Sequence, residues 1–465
     1  MSDSSSQGET AKDRDLTQGE VSGHMLRLAG FMTLGMISFM AASLAEALFI
    51  GRVGTNELAA ISFTFSVVFM LQGVSMGLGI GASSVVARAM GLGEVSKVKR
   101  LVFHSVILGT VISIVIGVAA YQFLGEIFTL LGAAGEVHDL VIAYMEIWLL
   151  GLPVFTMTFV GTTLMRAVGD AKTPGYLSAL GSVLHIALAP ICIFGWGPVR
   201  EMGLEGAAVS FLVARHLAFL LFIYCFVFRD RMMQFEGSGF IGSCRQILHV
   251  GLPAIASNMI WPVSMSIVTR LLAGHGVVVV AGYGVASRIE SMLVMVIWAI
   301  GMSIPPIVGQ NWGAGAYDRV RTSLRLGRSF VLIWGVFSYL VFVLFGRELV
   351  GMLNDDPDVV AMAYDYLVIA PIAAGFGGMM NIVGNSFNAL GKPMPPLILS
   401  ILQMIVVNLP LIILGNYLWG YRGIYVGGVI TTISLALVGW RWIQVTIDEG
   451  SASALDISRT KALST

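Results

Sequence analysis

A few residues able to do chemistry stand inside stretches that are otherwise apolar. Glu46 lies in Ser43-Leu-Ala-Glu46-Ala-Leu-Phe-Ile50. A carboxylate in a lipid-embedded segment is costly, and such residues usually face an interior cavity with a function. Kept from water, the group can take up and give back a proton near neutral pH, whereas a cation or cationic compound favours its charged form. Proton and cargo then compete for one group, which enforces exchange. The alternative is a solvated position at the outer rim, because few residues separate Glu46 from the 51–54 turn. Glu290 follows Arg288 by two residues, and i,i+2 neighbours share no helix face. Its partner is therefore expected elsewhere, with Arg270 the candidate. A buried ion pair tying two helices and a substrate or proton role are both compatible with that placement. Asn258 and Trp261, at i,i+3, could line a cavity and offer an aromatic face to a cation. Asn381 and Asn385 join Gln310, Asn311 and Asn388 as amides whose default is hydrogen bonding between helices. The 25 methionines suit a wall that accepts many shapes, although most must be ordinary filler.

Composition sets the elements that hold these residues. The 465-residue chain is 56% hydrophobic and 12% charged, with mean hydropathy +0.85 and no net charge. A soluble chain carries roughly 25% charge, so the main solvent here is a lipid bilayer. The absence of a basic field excludes nucleic acid as an expected partner. Cys192, Cys225 and Cys244 match neither a disulfide framework nor a zinc spacing. Gly77-Leu-Gly79-Ile-Gly81 has no strand before it and reads as close helix packing. Gly391-Lys392 is followed by proline, so it is no phosphate loop. No nucleophile–base pair, metal spacing or nucleotide-binding domain stands out. The expectation is a non-enzyme without cofactor or metal, driven by an ion gradient.

Residues 1–24 read as a disordered tail without the apolar core of a signal peptide. Twelve apolar runs follow, near 26–49, 58–87, 101–123, 140–163, 176–197, 204–228, 247–273, 278–311, 327–346, 360–386, 395–416 and 423–446. Each can span ~30 Å of hydrocarbon as a helix, and they are too continuously apolar for barrel strands. With both ends on one side, that side holds 20 of the 27 Lys and Arg and the opposite loops hold four. Arg215, Arg270 and Arg288 fall within spans. This bias places both termini in the cytoplasm of a cell inner membrane. An offset of 222 residues aligns Gly54 with Gly276, Gly79 with Gly301, Gly91 and Gly93 with Gly313 and Gly315, Gly169 with Gly391, and Pro174 with Pro396. Six spans precede the shift, so the halves share one orientation. An axis along the membrane normal and a cleft at mid-membrane follow. The division expected is an N-lobe at 25–228, a cytoplasmic linker at 229–246, a C-lobe at 247–446 and a cytoplasmic tail at 447–465.

These residues resemble the multidrug and toxic compound extrusion (MATE) family. Glu46-Ala-Leu-Phe-Ile-Gly51-Arg52-Val53-Gly54, Leu58-Ala59-Ala60 and Gly91-Leu-Gly93-Glu94 resemble its acidic residue and its V-G-R-L-G, A-L-A-A and G-A-G-D elements. Arg166-Ala-Val-Gly169-Asp170-Ala-Lys172-Thr-Pro174 resembles the loop R-x-x-G-D-x-K-x-P. Gly251-Leu252-Pro253 opens the seventh helix, and Val308-Gly309-Gln310-Asn311-Trp312-Gly313-Ala314-Gly315 resembles V-G-Q-N-x-G-A-G. The resemblance covers about 25–446 and is nearest the bacterial DinF-like branch. It implies an all-α membrane fold of twelve helices in two pseudo-two-fold six-helix lobes. It also implies antiport of small organic drugs or metabolites, cationic or amphipathic, against H+ or Na+, by a chain read as a monomer. Gly51, Gly54, Gly169, Pro174, Pro253, Gln310, Asn311 and Gly313 would then be structural, and Glu46 would couple the ion. Where another branch keeps acids on helices seven and ten, this chain has Trp261 and, approximately, Met379. Where much of the family reads N-x-x-x-D-P on the fifth helix, this chain reads His185-Ile-Ala-Leu-Ala189-Pro190. The carboxylate is thus replaced by Ala189, and His185 becomes a candidate to share a proton with Glu46 or merely to satisfy a backbone carbonyl. Phe31 stands where the first helix of the family has proline. A flippase for lipid-linked oligosaccharides, or another metabolite exporter of the same superfamily, is the alternative, and a non-transporting scaffold the reading from another class.

Overall fold

The structure is a computed structural model that describes residues 15–463, apart from the side chains of Trp261 and of 455–463. Expectations for 1–14 and 464–465 lie outside the described residues. A bilayer offers no water to backbone N–H and C=O groups, so an apolar chain of this kind satisfies them within helices. Among the described residues the only strand-like pairing is an isolated bridge between Trp196 and Val199.

In chain order the helices are α1 (Val21–Val53), α2 (Thr55–Gly91), α3 (Val95–Gln122), α4 (Leu124–Leu130), α5 (Gly135–Leu150), α6 (Leu152–Ala167), α7 (Lys172–Phe194) and α8 (Gly203–Ile223). They continue as α9 (Phe240–Ala273), α10 (Val277–Gly313), α11 (Tyr317–Gly351), α12 (Pro357–Ile369), α13 (Ala374–Ala389), α14 (Met394–Ile401) and α15 (Asn408–Leu463). A π-helical turn at Tyr224–Arg229 extends α8, a 3₁₀ turn at Ala370–Ala373 joins α12 to α13, and a π-helical turn at Leu402–Val406 follows α14. Among the described residues ten segments are long and apolar enough to cross a membrane, and the pair α5–α6, bent by 50°, makes an eleventh. Pro153 in the first turn of α6 accounts for that bend, because proline supplies no N–H to the preceding helix. The twelfth crossing is hidden in 394–454, which breaks at Trp419 and Gly420. Gly420 takes φ +61, a conformation costly for residues with a Cβ. Beyond it the chain doubles back, and Gly415 and Gly423 touch backbone to backbone.

The described chain divides into two compact units, one of 31–90 and 94–255, the other of 15–30, 91–93 and 256 onward. In the first, one core gathers around Val86, Leu164 and Phe222 and another around Phe128, Met145 and Trp148. In the second, cores form around Leu272, Ile412 and Tyr425 and around Ala286, Phe342 and Leu367. Large apolar side chains such as Leu44, Leu48, Ile333 and Leu344 point outward, as lipid-facing residues do.

Two sequence expectations need correction. Residues 15–24 are not a tail. Leu16 is fully buried, its N–H donates to Gln310 Oε1 (3.1 Å), and its carbonyl accepts from Asn311 Nδ2 (3.0 Å). Arg319 donates to the carbonyls of Leu16 (3.2 Å), Gln18 (3.1 Å) and Gly19 (2.8 Å). A polar composition concealed a segment held through its backbone. The linker is shorter than 229–246, since α9 already begins at Phe240, and His104 lies within hydrogen-bond distance of the Glu236 carbonyl (2.7 Å) and Ser243 Oγ (2.9 Å). The stretch from 447, expected as a cytoplasmic tail, is helical to Leu463 as the end of α15.

Candidate functional site

In the first unit, α1 lies along α7 and runs in the same direction. A Cβ at Gly175 would sit 2.9 Å from the Phe31 carbonyl oxygen, so glycine is what allows this approach. Farther along, Phe49 meets Phe194 edge-on, with ring centroids 6.3 Å apart. Between these contacts the helices bring Glu46 and His185 together. One helical turn to either side of Glu46 are Ala42 and Ile50, both buried, whereas Leu44 and Leu48 face outward. Glu46 therefore lies on the inward face of α1, with a side chain 15% exposed. Its Oε1 is 4.0 Å from His185 Nε2, too far for a direct hydrogen bond. Both atoms are buried, and among the described residues neither has a hydrogen-bond partner. A solvated place at the outer rim does not describe this carboxyl, and His185 Nε2 does not satisfy a backbone carbonyl.

Arg215 on α8 completes the group, because α8 packs extensively on α7. Its guanidinium lies within electrostatic reach of Glu46 and His185 without a direct ion pair. It also lies against the rings of Phe39 (5.9 Å), Phe155 (5.7 Å) and Phe211 (5.1 Å), the geometry of a cation over aromatic faces. His185 packs edge-on against Phe211, and Tyr144 on α5 is buried within reach of Glu46. The sequence shows Arg215 only as one of three intramembrane bases. Its place beside Glu46 depends on how α7 and α8 pack, which spacing does not reveal.

The second unit holds a different arrangement. Glu290 on α10 accepts a 2.5 Å hydrogen bond from Tyr366 Oη on α12. The expected partner, Arg270, and the neighbour Arg288 are both exposed. Hydroxyl donation, rather than ion pairing, satisfies this carboxylate. Tyr283, seven residues before Glu290 and on the same helix face, packs edge-on against Tyr366 (5.3 Å) and is stacked at 6.4 Å with Tyr425 of α15. A cavity of about 300 Å³ opens beside these groups. Nearby, Asp365 accepts from Tyr421 Oη (2.5 Å) and Arg422 Nε (2.9 Å).

The remaining candidates divide by contact. Asn258 Nδ2 is buried and has no hydrogen-bond partner among the described residues, while the side chain of Trp261 is outside those described. Asn385 Nδ2 donates to Asn381 Oδ1 one turn away (3.0 Å), a bond within α13 rather than between helices. Gln310 and Asn311 hold the 15–20 segment. Asp170 caps the start of α7, accepting from Thr173 N (3.0 Å) and Thr173 Oγ1 (2.8 Å), while Gly169 turns at φ +89 and Pro174 is buried. Among the described residues no three His, Cys, Asp or Glu converge as a metal site.

A family model described as MatE matches residues 32–191 and again 253–414, one match for each half of the repeat. The chain is 28% identical to an FAD transporter of Shewanella oneidensis over 426 residues, 91% of this chain and 94% of that protein. It is 24% identical to a probable multidrug resistance protein, NorM, of Thermotoga maritima over 398 residues, 84% and 85% of the two chains. The crystal structure of the Vibrio cholerae MATE transporter VcmN in the bent form is similar, with TM-score 0.89 and 27% identity over 93% of this chain and 98% of that one.

Proposed function

The chain belongs to the MatE family of membrane transporters, and on that premise we propose that it exports small organic compounds in exchange for protons bound at Glu46. It would lie in the cell inner membrane with both termini in the cytoplasm, as the Lys and Arg distribution supports. The single observation that carries the reading is the pair Glu46 Oε1 and His185 Nε2, buried, 4.0 Å apart and, among the described residues, both without a hydrogen-bond partner. A proton on Glu46 would let that oxygen donate toward the imidazole nitrogen, which a side-chain shift of about 1 Å would bring into hydrogen-bond distance. Loss of the proton leaves a carboxylate whose charge a cationic cargo can neutralise. The two ligands exclude each other, so each can be released by the other's arrival.

The same surroundings favour H+ over Na+. A sodium ion needs several oxygen ligands, and the polar groups within reach of Glu46 are His185, Arg215 and the one hydroxyl of Tyr144, with Ala189 one turn beyond His185. Reconstituted protein driven by an imposed pH or sodium gradient, with ethidium as cargo, tests this. Wild type should transport under the pH gradient and Glu46→Gln should not. Equal uptake by both would remove Glu46 from the mechanism, and dependence on sodium alone would overturn the proton assignment.

One observation favours a second cargo class. Arg215 among three phenylalanine rings suits a flat aromatic compound with an anionic group, and the Shewanella relative is named for FAD. Such cargo would bind best when Glu46 is protonated and Arg215 unopposed. Its binding should take up a proton, whereas ethidium binding should release one, so proton counting separates the two.

A further inference from the structure

Proton exchange at Glu46 leaves a group of arginines at one end of the second unit without a role. Arg321, Arg325 and Arg328 stand at i, i+4 and i+7, so they share one face at the start of α11. The last part of α15 runs antiparallel against that face. Arg321 Nη2 lies 2.9 Å from Asp448 Oδ1, and the Arg328 guanidinium lies over the Trp440 ring at 4.6 Å. Arg441 precedes Asp448 by seven residues, which puts it on the Asp448 face of α15 and about level with Arg328. Arg321 also takes Asp318 at 2.8 Å, so one base occupies both nearby aspartates. Among the described residues Arg325, Arg328 and Arg441 form no ion pair with an acid, and Glu449, two turns beyond Arg441, is exposed. Three positive charges thus meet at one edge of the helix pair.

The fold does not itself ask for them. At the offset of 222 residues α11 corresponds to α3, and the places of Arg325, Arg328 and Arg441 are taken by Phe103, Val106 and Phe219. The direction of exposure narrows the ligand. Arg325 and Arg441 are exposed, and deeper along the same helices Ile333 (71% exposed) and Leu437 (54%) face outward, where acyl chains would lie. Arginine forks match phosphate oxygens bidentately, and a guanidinium resting on an indole ring has fewer positions to lose on binding. Basic pockets between membrane helices on the cytoplasmic side suit anionic headgroups. We propose that the meeting of α11 and α15 binds one anionic phospholipid of the cytoplasmic leaflet, with Arg325, Arg328 and Arg441 on its phosphate and Ile333 and Leu437 along its chains. The choice of leaflet rests on the topology proposed above, whereas the site is independent of exchange at Glu46.

Native mass spectrometry of the full chain in detergent, titrated with dioleoylphosphatidylglycerol, tests the assignment. Detergent solution has no sides and no gradient, so the result is separate from both the topology and the transport reading. One lipid should be retained saturably, at least about tenfold more tightly than dioleoylphosphatidylcholine, whose headgroup carries no net charge. Arg325→Gln, Arg328→Gln and Arg441→Gln should each weaken binding about fivefold, and the three together about a hundredfold. Arg325→Lys keeps the charge and should stay within about twofold of wild type. Arg231→Gln with Arg245→Gln, which removes two exposed charges of the first unit, should leave binding unchanged. Should the triple variant fail to fold, Arg325→Gln at its exposed position carries the test. Wild-type affinity in the folded variants would overturn the proposal, as would equal retention of the two lipids or an equal loss in the Arg231 and Arg245 variant. Displacement of the lipid by equimolar glycerol 3-phosphate would assign the site to a soluble phosphate and overturn it too.

Discussion

Glu46 and Glu290 are both acids set in apolar helices, and their neighbours differ in kind. Beside Glu46 stand an imidazole at 4.0 Å and, within electrostatic reach, a guanidinium held among phenylalanines. Beside Glu290 stand tyrosine hydroxyls and rings, with a 2.5 Å bond from Tyr366. The first acid has a base with which to share a proton and a positive charge whose balance its protonation changes. The second accepts one hydroxyl bond and, among the described residues, forms no ion pair with a base. The two acids thus differ in what their neighbours allow, since surroundings rather than residue type set how a carboxyl behaves.

The sharpest way to break this contrast is to neutralise each acid in turn. Glu46→Gln should reduce pH-driven ethidium transport in proteoliposomes to that of protein-free vesicles, while Glu290→Gln should still respond to the pH gradient. Equal loss of proton dependence in both would erase the distinction. Arg215→Gln comes next. Removing a positive charge close to Glu46 should tighten ethidium binding by roughly tenfold, about 1.4 kcal/mol, and weaken binding of a flavin dinucleotide by a similar factor. Titration of both ligands against the variant measures the two signs together. His185→Gln should have a smaller effect, about two- to fivefold on transport, seen mainly as a changed dependence of rate on pH, with Glu46 still titrating. Tyr366→Phe should be smallest, costing about 1 kcal/mol or less of stability in a denaturation midpoint and leaving proton-driven transport of ethidium unaltered.

How much of this is legible in the sequence depends on the range of the interaction. Apolar runs fix the helices, because lipid forbids unpaired backbone. The reversal at Trp419–Gly420 also falls in the gap between two such runs. Glu46 and His185 stand out because polar atoms are rare in those runs. Arg215 stands out equally, yet its partnership with them arises from packing of α7 on α8 and leaves no periodic trace. Charge complementarity offered Arg270 as the partner of Glu290, whereas a tyrosine hydroxyl on α12 fills that place. Tyr283, Tyr366 and Tyr425 pass for ordinary membrane aromatics until three separated helices bring them to one cavity. The 15–20 segment escaped notice for a related reason, since its bonds run from distant side chains to its own backbone.

The most direct measurement counts protons as cargo binds. Ethidium is added to the purified chain in weakly buffered detergent solution near neutral pH, with a pH indicator present. Wild-type protein should release protons in a saturable way as the cation occupies its site, and Glu46→Gln should bind ethidium with no release. Identical release from the variant, or saturable binding to wild type with no proton movement at any pH between about 6 and 8, would contradict exchange at Glu46.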